Sequence, residues 1–302
     1  MIVLPPTPFQ EHRVPSERIV HAPGKLVLMG EYAVIDGGPA LVTAVHRGVG
    51  CAVAPAAGFE VLTPGDDRLA RGALRAIGAP PARYRFFDLD PPGVAGKPGF
   101  GGSAAAVVAA VIAGGGQGPE ARAIHQGLQG GGSGVDVAAS LRGGSLRFQA
   151  GEVTAITPVR PAVVFSGASA ATAPRVAAYR AWRGARSTFL ARSAELVEAF
   201  ASEPIQALAE AARLLAAMAG DAGIDYLTPA LVRIQRLAVE HGGAAKPSGA
   251  GGGDCAVALF SDTASEEAFL ARCAEEGLVS IPVRVAPGAA WQPPEPAGAS
   301  CA

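Results

Sequence analysis

The 302-residue chain reads as an α+β protein of two lobes with a cleft between them, and three observations predict this. The first 165 residues alternate short apolar runs with glycine-rich turns, the pattern of strands and tight loops. Beyond residue 166, long amphipathic segments take over at 184–201, 204–219 and 226–241. That second half keeps strands of its own at 255–260 and 281–285, around a helix at 265–276. Two halves that each mix a sheet with helices form two packed units, here divided at 1–160 and 161–302.

Each element follows from local chemistry. Apolar runs at 18–22 and 25–29 flank the Pro23-Gly24 bend, so two short strands are expected there. Residues 33–35 lead into a turn at Asp36-Gly37-Gly38-Pro39, and 40–45 and 47–53 continue the β character. Leu69, Leu74 and Ile77 recur at helical spacing within 67–77, and 84–89 alternates as a strand. Lys97-Pro98-Gly99-Phe100-Gly101-Gly102-Ser103-Ala104-Ala105-Ala106 runs directly into the apolar helix Val107-Val108-Ala109-Ala110-Val111-Ile112. Pro119 opens a helix to about Leu128. A second glycine loop, 130–134, feeds a short helix through Ser140, and strands follow at 145–149, 153–156 and 162–165. The third loop, Lys246-Pro247-Ser248-Gly249-Ala250-Gly251-Gly252-Gly253-Asp254-Cys255, enters another apolar strand.

Composition narrows the function. The formal net charge of −1 supplies no basic field for nucleic acid or an anionic membrane, so attraction to an acidic substrate must be local. Cys51, Cys255, Cys273 and Cys301 lie far apart without paired spacing, which favours reduced thiols over zinc or disulfides. The amino terminus turns polar too soon for a secretory signal, and no apolar run approaches the ~20 residues of a membrane span. A cytoplasmic monomer or homodimer acting on a small molecule is expected.

A glycine run that opens a helix suits a phosphate, because the curled backbone and the helix start aim free N–H groups at one place. The loop lacks the Lys-Ser or Lys-Thr ending of a Walker A sequence. It matches G-x-G-x-x-A at Gly99, Gly101 and Ala104, but Gly93 to Pro98 before it is no strand, so a nucleotide triphosphate is favoured over a dinucleotide. On this reading Gly99, Gly101, Gly102, Ser103, Ala104 and Ala105 bind the cofactor, and Ser103 either contacts a metal or caps the helix.

Pro-Gly-Lys-x-x-x-x-Gly-Glu-Tyr at 23–32, Gly-x-Gly-Gly-Ser-Ala-Ala at 99–105 and Ser-Gly-Ala-Gly-Gly-Gly-Asp-Cys at 248–255 together resemble the three signature motifs of the GHMP kinase superfamily. Tyr32 after Gly30-Glu31, the Ser133-Gly134-Val135-Asp136-Val137 segment and Asp254-Cys255 are most similar to the phosphomevalonate kinases. The resemblance implies an N-terminal lobe like ribosomal S5 domain 2 and a ferredoxin-like C-terminal lobe. It also implies ATP and Mg²⁺ as cofactors, and phosphorylation of phosphomevalonate to diphosphomevalonate in isoprenoid precursor synthesis. Mevalonate or another small acceptor is the alternative, and a ligand sensor on the same fold is an alternative of another class. Gly102 departs from the motif by replacing its first Ser, and the adenine contacts do not carry over by residue.

Lys25 and Asp136 are the implied catalytic pair. Lys25 neutralises charge beside the acceptor, and Asp136 serves as general base or as the partner that holds Lys25. Their structural alternatives are a surface lysine and a helix N-cap. Ser133, Gly134, Ser248, Gly249 and Ala250 are expected near the substrate. His21, Arg47, Arg147 and Lys246, each next to a motif or turn, are candidate cations for an anionic acceptor. Arg175, Arg180 and Arg183 with Trp182 form either a basic lid or, as preferred, the exposed face of a helix.

Overall fold

A computed structural model describes residues 17–89 and 98–293; Lys97 of the central loop and Cys301 lie outside them. Two sheets organise the chain. The larger has the order β11-β1-β2-β4-β3, built from β1 (Arg18–Met29), β2 (Ala40–Ala54), β3 (Glu60–Leu62), β4 (Arg83–Asp88) and β11 (Ala290–Trp291). The first half of β2 also pairs with β5 (Ser145–Gln149), which pairs with β6 (Glu152–Ile156). The smaller sheet, β10-β7-β9-β8, joins β7 (Ala162–Phe165), β8 (Ala244–Pro247), β9 (Cys255–Leu259) and β10 (Val279–Ser280).

Helices cover both sheets. α1 (Arg68–Ala76), α2 (Gly102–Ala113), α3 (Gly118–Gln129) and α4 (Val135–Arg142) belong to the first lobe. α2 is apolar on all sides, and Val107, Val108, Ala109, Ala110 and Val111 have no exposure, so it is a core helix. In the second lobe come α5 (Thr172–Ala181), α6 (Arg186–Ala199), α7 (Pro204–Asp221), α8 (Pro229–Glu240) and α9 (Thr263–Glu275). Leu231, Ile234 and Leu237 of α8 and Phe269 of α9 pack on the smaller sheet. Leu196 and Val197 of α6 and Leu208 of α7 reach across to Leu28, Met29 and Leu41 of the larger one, so the lobes share apolar packing. Among the described residues no helix is long and apolar enough to cross a membrane.

Four expectations change. The two strands flanking Pro23-Gly24 are one strand, bent by a register shift at that point rather than ended by it. Lys246 and Pro247, read as the head of the third loop, belong to β8 instead. In place of the strand expected at 281–285 there is a two-residue strand at Val279–Ser280, because the chain then crosses back to the first lobe. There Val45 bridges Val285, Gly143 bridges Pro287, and Val20 pairs with Trp291, so the last described stretch completes the N-terminal sheet. Finally, α5 is a separate helix before the amphipathic run expected from 184.

Candidate active site

Gly24 sits at the bend of β1 with no room for a side chain, since a Cβ there would lie 2.5 Å from the Phe100 carbonyl oxygen and 2.6 Å from that of Arg47. The close approach lets the Lys25 amide donate to the Phe100 oxygen at 2.8 Å, tying the first motif to the loop before α2. Gly101 caps α2 with φ +73°, a conformation that favours glycine, and a Cβ on it would be 3.1 Å from Lys25 Cε. Lys25 Nζ stands 3.7 Å from Asp136 Oδ1, in the first turn of α4. It would also lie 3.9 Å from a Cβ on Gly249. One lysine side chain thus meets all three glycine loops, its stem at Gly101 and its ammonium at Asp136 and Gly249.

The arrangement is open to solvent. The Asp136 side chain is 35% exposed, Gly102 is exposed, and Gly101 and Ser103 are half-buried. Neither Asp136 nor Ser103 is an N-cap, because Gly134 and Gly101 hold those positions. The amides of Ala104 and Ala105, expected to face a ligand, instead donate to the Gly101 oxygen at 3.1 and 3.2 Å. Only the N–H groups at the start of α2, through Ser103, are left without a backbone acceptor among the described residues.

The third loop is tied to the first motif. The Ser248 hydroxyl accepts from the Val27 amide at 2.9 Å, and the Tyr32 hydroxyl donates to the Ala250 oxygen at 2.6 Å. Glu31 forms an ion pair with Lys246 in which both side chains are sealed from solvent, and its Oε1 also accepts from the Gly249 amide. Burial lowers the Lys246 pKa, opposed by the charge and hydrogen bond of Glu31. Tyr226 is buried nearby, its hydroxyl and Glu31 Oε2 both without a partner among the described residues.

All four candidate cations are engaged elsewhere. Lys246 has no exposure and closes the seam between lobes, so it cannot reach a ligand directly. Arg147 lies between Leu146 and Phe148, which pack against α4, so strand alternation turns it to the opposite face. There it meets Glu198 of α6 at 2.8 Å. His21 alternates with Val20 and Ala22, which face α2, and its ring meets Phe87 edge-on at 6.3 Å. Burial lowers its pKa. Arg47 donates to the Pro282 oxygen at 2.8 Å. Ser133 and Gly134 do adjoin Asp136: the Ser133 hydroxyl accepts from the Val135 amide, and Arg122 of α3 fills the space beneath Gly134. Sequence reading missed Glu31, Tyr226, Arg122 and Asp254 as site-shaping groups. Of these, only Glu31 and Asp254 lay inside motifs already singled out.

Known proteins share the sequence pattern and the fold. Residues 196–277 match the family described as GHMP kinases C terminal. The phosphomevalonate kinase of Streptomyces sp. strain CL190 is 29% identical, over 88% of this chain and 96% of that protein. The Lin0012 protein of Listeria innocua superposes with a TM-score of 0.82 at 22% identity, covering 91% of this chain and 99% of that one. Streptococcus pneumoniae phosphomevalonate kinase, in complex with phosphomevalonate and AMPPNP, gives 0.73 at 20% identity, covering 89% and 99%. Residues 196–277 thus match the C-terminal domain of the GHMP kinases, and the chain as a whole is similar to small-molecule kinases of that superfamily. Within that class its resemblance is to the phosphomevalonate kinases.

Proposed function

We propose that this protein transfers the γ-phosphoryl group of ATP to phosphomevalonate, giving diphosphomevalonate. The observation that carries the reading is the Lys25 ammonium standing among three glycine loops with Asp136 at 3.7 Å. The Streptomyces relative and the ligands of the Streptococcus structure support the same choice of donor and acceptor.

Phosphoryl transfer is mostly positioning and charge stabilisation. The free amides at the start of α2 hold the anionic tail of the donor, helped by the positive end of the helix. Lys25 lies where donor and acceptor anions must approach and offsets their repulsion. A phosphate monoester loses its second proton near pH 6, so the acceptor arrives ionised and needs no strong base. Asp136 then acts by orienting the ammonium. Magnesium fits this donor set, because it takes phosphate oxygens and water with one or two protein oxygens, which Ser103 and Asp136 supply. When bound it adds charge neutralisation on the phosphates.

The test is ADP release from purified protein with ATP and Mg²⁺, offered phosphomevalonate, mevalonate, and a set of sugars and amino alcohols. Turnover on phosphomevalonate well above the others is expected. Equal turnover on mevalonate would replace the acceptor, and none with any acceptor would favour a ligand sensor.

A further inference from the structure

Helix α5 and the turn after it carry three guanidinium groups, those of Arg175, Arg180 and Arg183, that have no carboxylate within ion-pair distance among the described residues. Most other arginines of the second lobe are paired, as Arg186, Arg192, Arg233, Arg236 and Arg272 are. α5 also spans the site. At its start Arg175 lies across the third loop, donating to the oxygens of Asp225 and Ala171 at 3.2 and 2.8 Å, with Nη2 against Gly252. Near its end Arg180 reaches the second loop, where its Nη2 would stand 3.5 Å from a Cβ on Gly131. Arg180 and Arg183 are exposed, as expected of a helix face, whereas Arg175 is half-buried against the third loop and Trp182 is buried and bonds Asp221.

The helix is firmly placed. Asp254 adopts φ +55°, a strained conformation for a residue with a side chain, and it clamps the segment entering α5. Its amide donates to the Ala168 oxygen at 2.7 Å, its carbonyl accepts from the Ser166 amide at 2.9 Å, and its Oδ1 accepts from the Ala170 amide at 3.0 Å. The same carboxylate presses on Gly99 of the phosphate loop. The Arg180 guanidinium has no hydrogen-bond partner among the described residues, and it faces the loop that delivers Asp136. Lys25 and Asp136 largely answer each other, so a second anion brought to this side needs a further cation, and a guanidinium matches phosphate geometry with paired donors.

We propose that α5 clamps the anionic end of the acceptor, with Arg180 as the contacting residue, which makes the enzyme selective for acceptors that carry a phosphate. This rests on the kinase reading above. Arg180→Ala should raise the KM for phosphomevalonate by about 10- to 100-fold, the loss of a charge-assisted hydrogen-bond pair, while the KM for ATP stays within roughly twofold. Calorimetric titration of phosphomevalonate without nucleotide should show the same weakening. Arg180→Lys should fall between, keeping charge without the paired donors. An Arg180→Ala protein with wild-type KM and calorimetric affinity overturns the clamp and leaves the kinase reading intact. A wild-type protein that neither binds nor phosphorylates phosphomevalonate overturns both, so the two failures are told apart by the wild-type arm.

Discussion

Lys25 and Lys246 stand in matching places in the sequence, each heading a glycine motif, and each ends beside a carboxylate of another segment. Lys25 pairs with Asp136 at 3.7 Å with the carboxylate one-third exposed. Lys246 pairs with Glu31 where neither group meets water. The first pair keeps a carboxylate that solvent reaches beside a mostly buried ammonium, and the second uses its charge to close the seam between lobes. The difference lies in the surroundings, since β8 is covered by α7 and α8 while the start of α4 opens beside the glycine loops. Adjacency to a motif therefore marks a residue as important without telling a ligand contact from a staple.

Three experiments would break or sharpen this contrast. The largest effect should come from Glu31→Ala, which strands a buried ammonium and should cost about 3–5 kcal/mol in urea-induced unfolding. Replacing both partners, Glu31→Leu with Lys246→Met, should recover most of that loss; a double variant as unstable as the single would mean the pair does more than satisfy itself. Next, Lys25→Met should lower kcat by about 10²- to 10³-fold, the usual effect of removing one transition-state contact. Its unfolding free energy should change less than that of the Glu31 variant, because Met fills the buried space of the lysine stem and the carboxylate left behind keeps 35% of its side chain in solvent. A Lys25 variant that unfolds readily but turns over normally would reverse the roles of the two lysines.

The smallest effect concerns His125 of α3, which is 6% exposed, its Nε2 without a partner among the described residues. Burial lowers its pKa from the ordinary value, partly opposed by the charge of Asp136. The unfolded chain then binds the proton more readily than the folded one. Stability from this group is complete above about pH 6.5 and is lost as pH falls towards the lowered value. His125→Gln should flatten the acid limb of a stability profile measured by thermal melts between pH 7 and 5. The flattening should be partial, since burial lowers His21 and His46 as well. An unchanged limb would remove His125 from the titrating set.

Much of the fold was legible because its signals are local. The apolar run after Gly102 can only be a buried helix, and α1, α3, α6, α7, α8 and α9 follow from spacing and from glycine or proline at their ends. The bend at Pro23-Gly24 misled, because a bulge and a turn use the same residues and only the partner strand tells them apart. β8 and β11 are short, and their identity comes from what pairs with them. In the site, Lys25, Asp136 and the loop at Gly101 were readable from motif chemistry. Arg147 was misplaced because neighbouring residues of a strand face opposite ways. Arg180 and Asp254 gained meaning from contacts across 49 and 84 positions, with Gly131 and Ala170 respectively.

By itself the sequence determined the three places where backbone can curl tightly around an anion, the apolar helix behind one of them, and the division into a strand-rich and a helix-rich half. Those follow from the conformational freedom of glycine and the periodicity of apolar side chains, which need no partner to be read. Tertiary structure decided which charges meet each other and which meet water. Coulombic pairing and desolvation act through space between segments more than 100 residues apart, as Lys25 with Asp136 and Lys246 with Glu31 show.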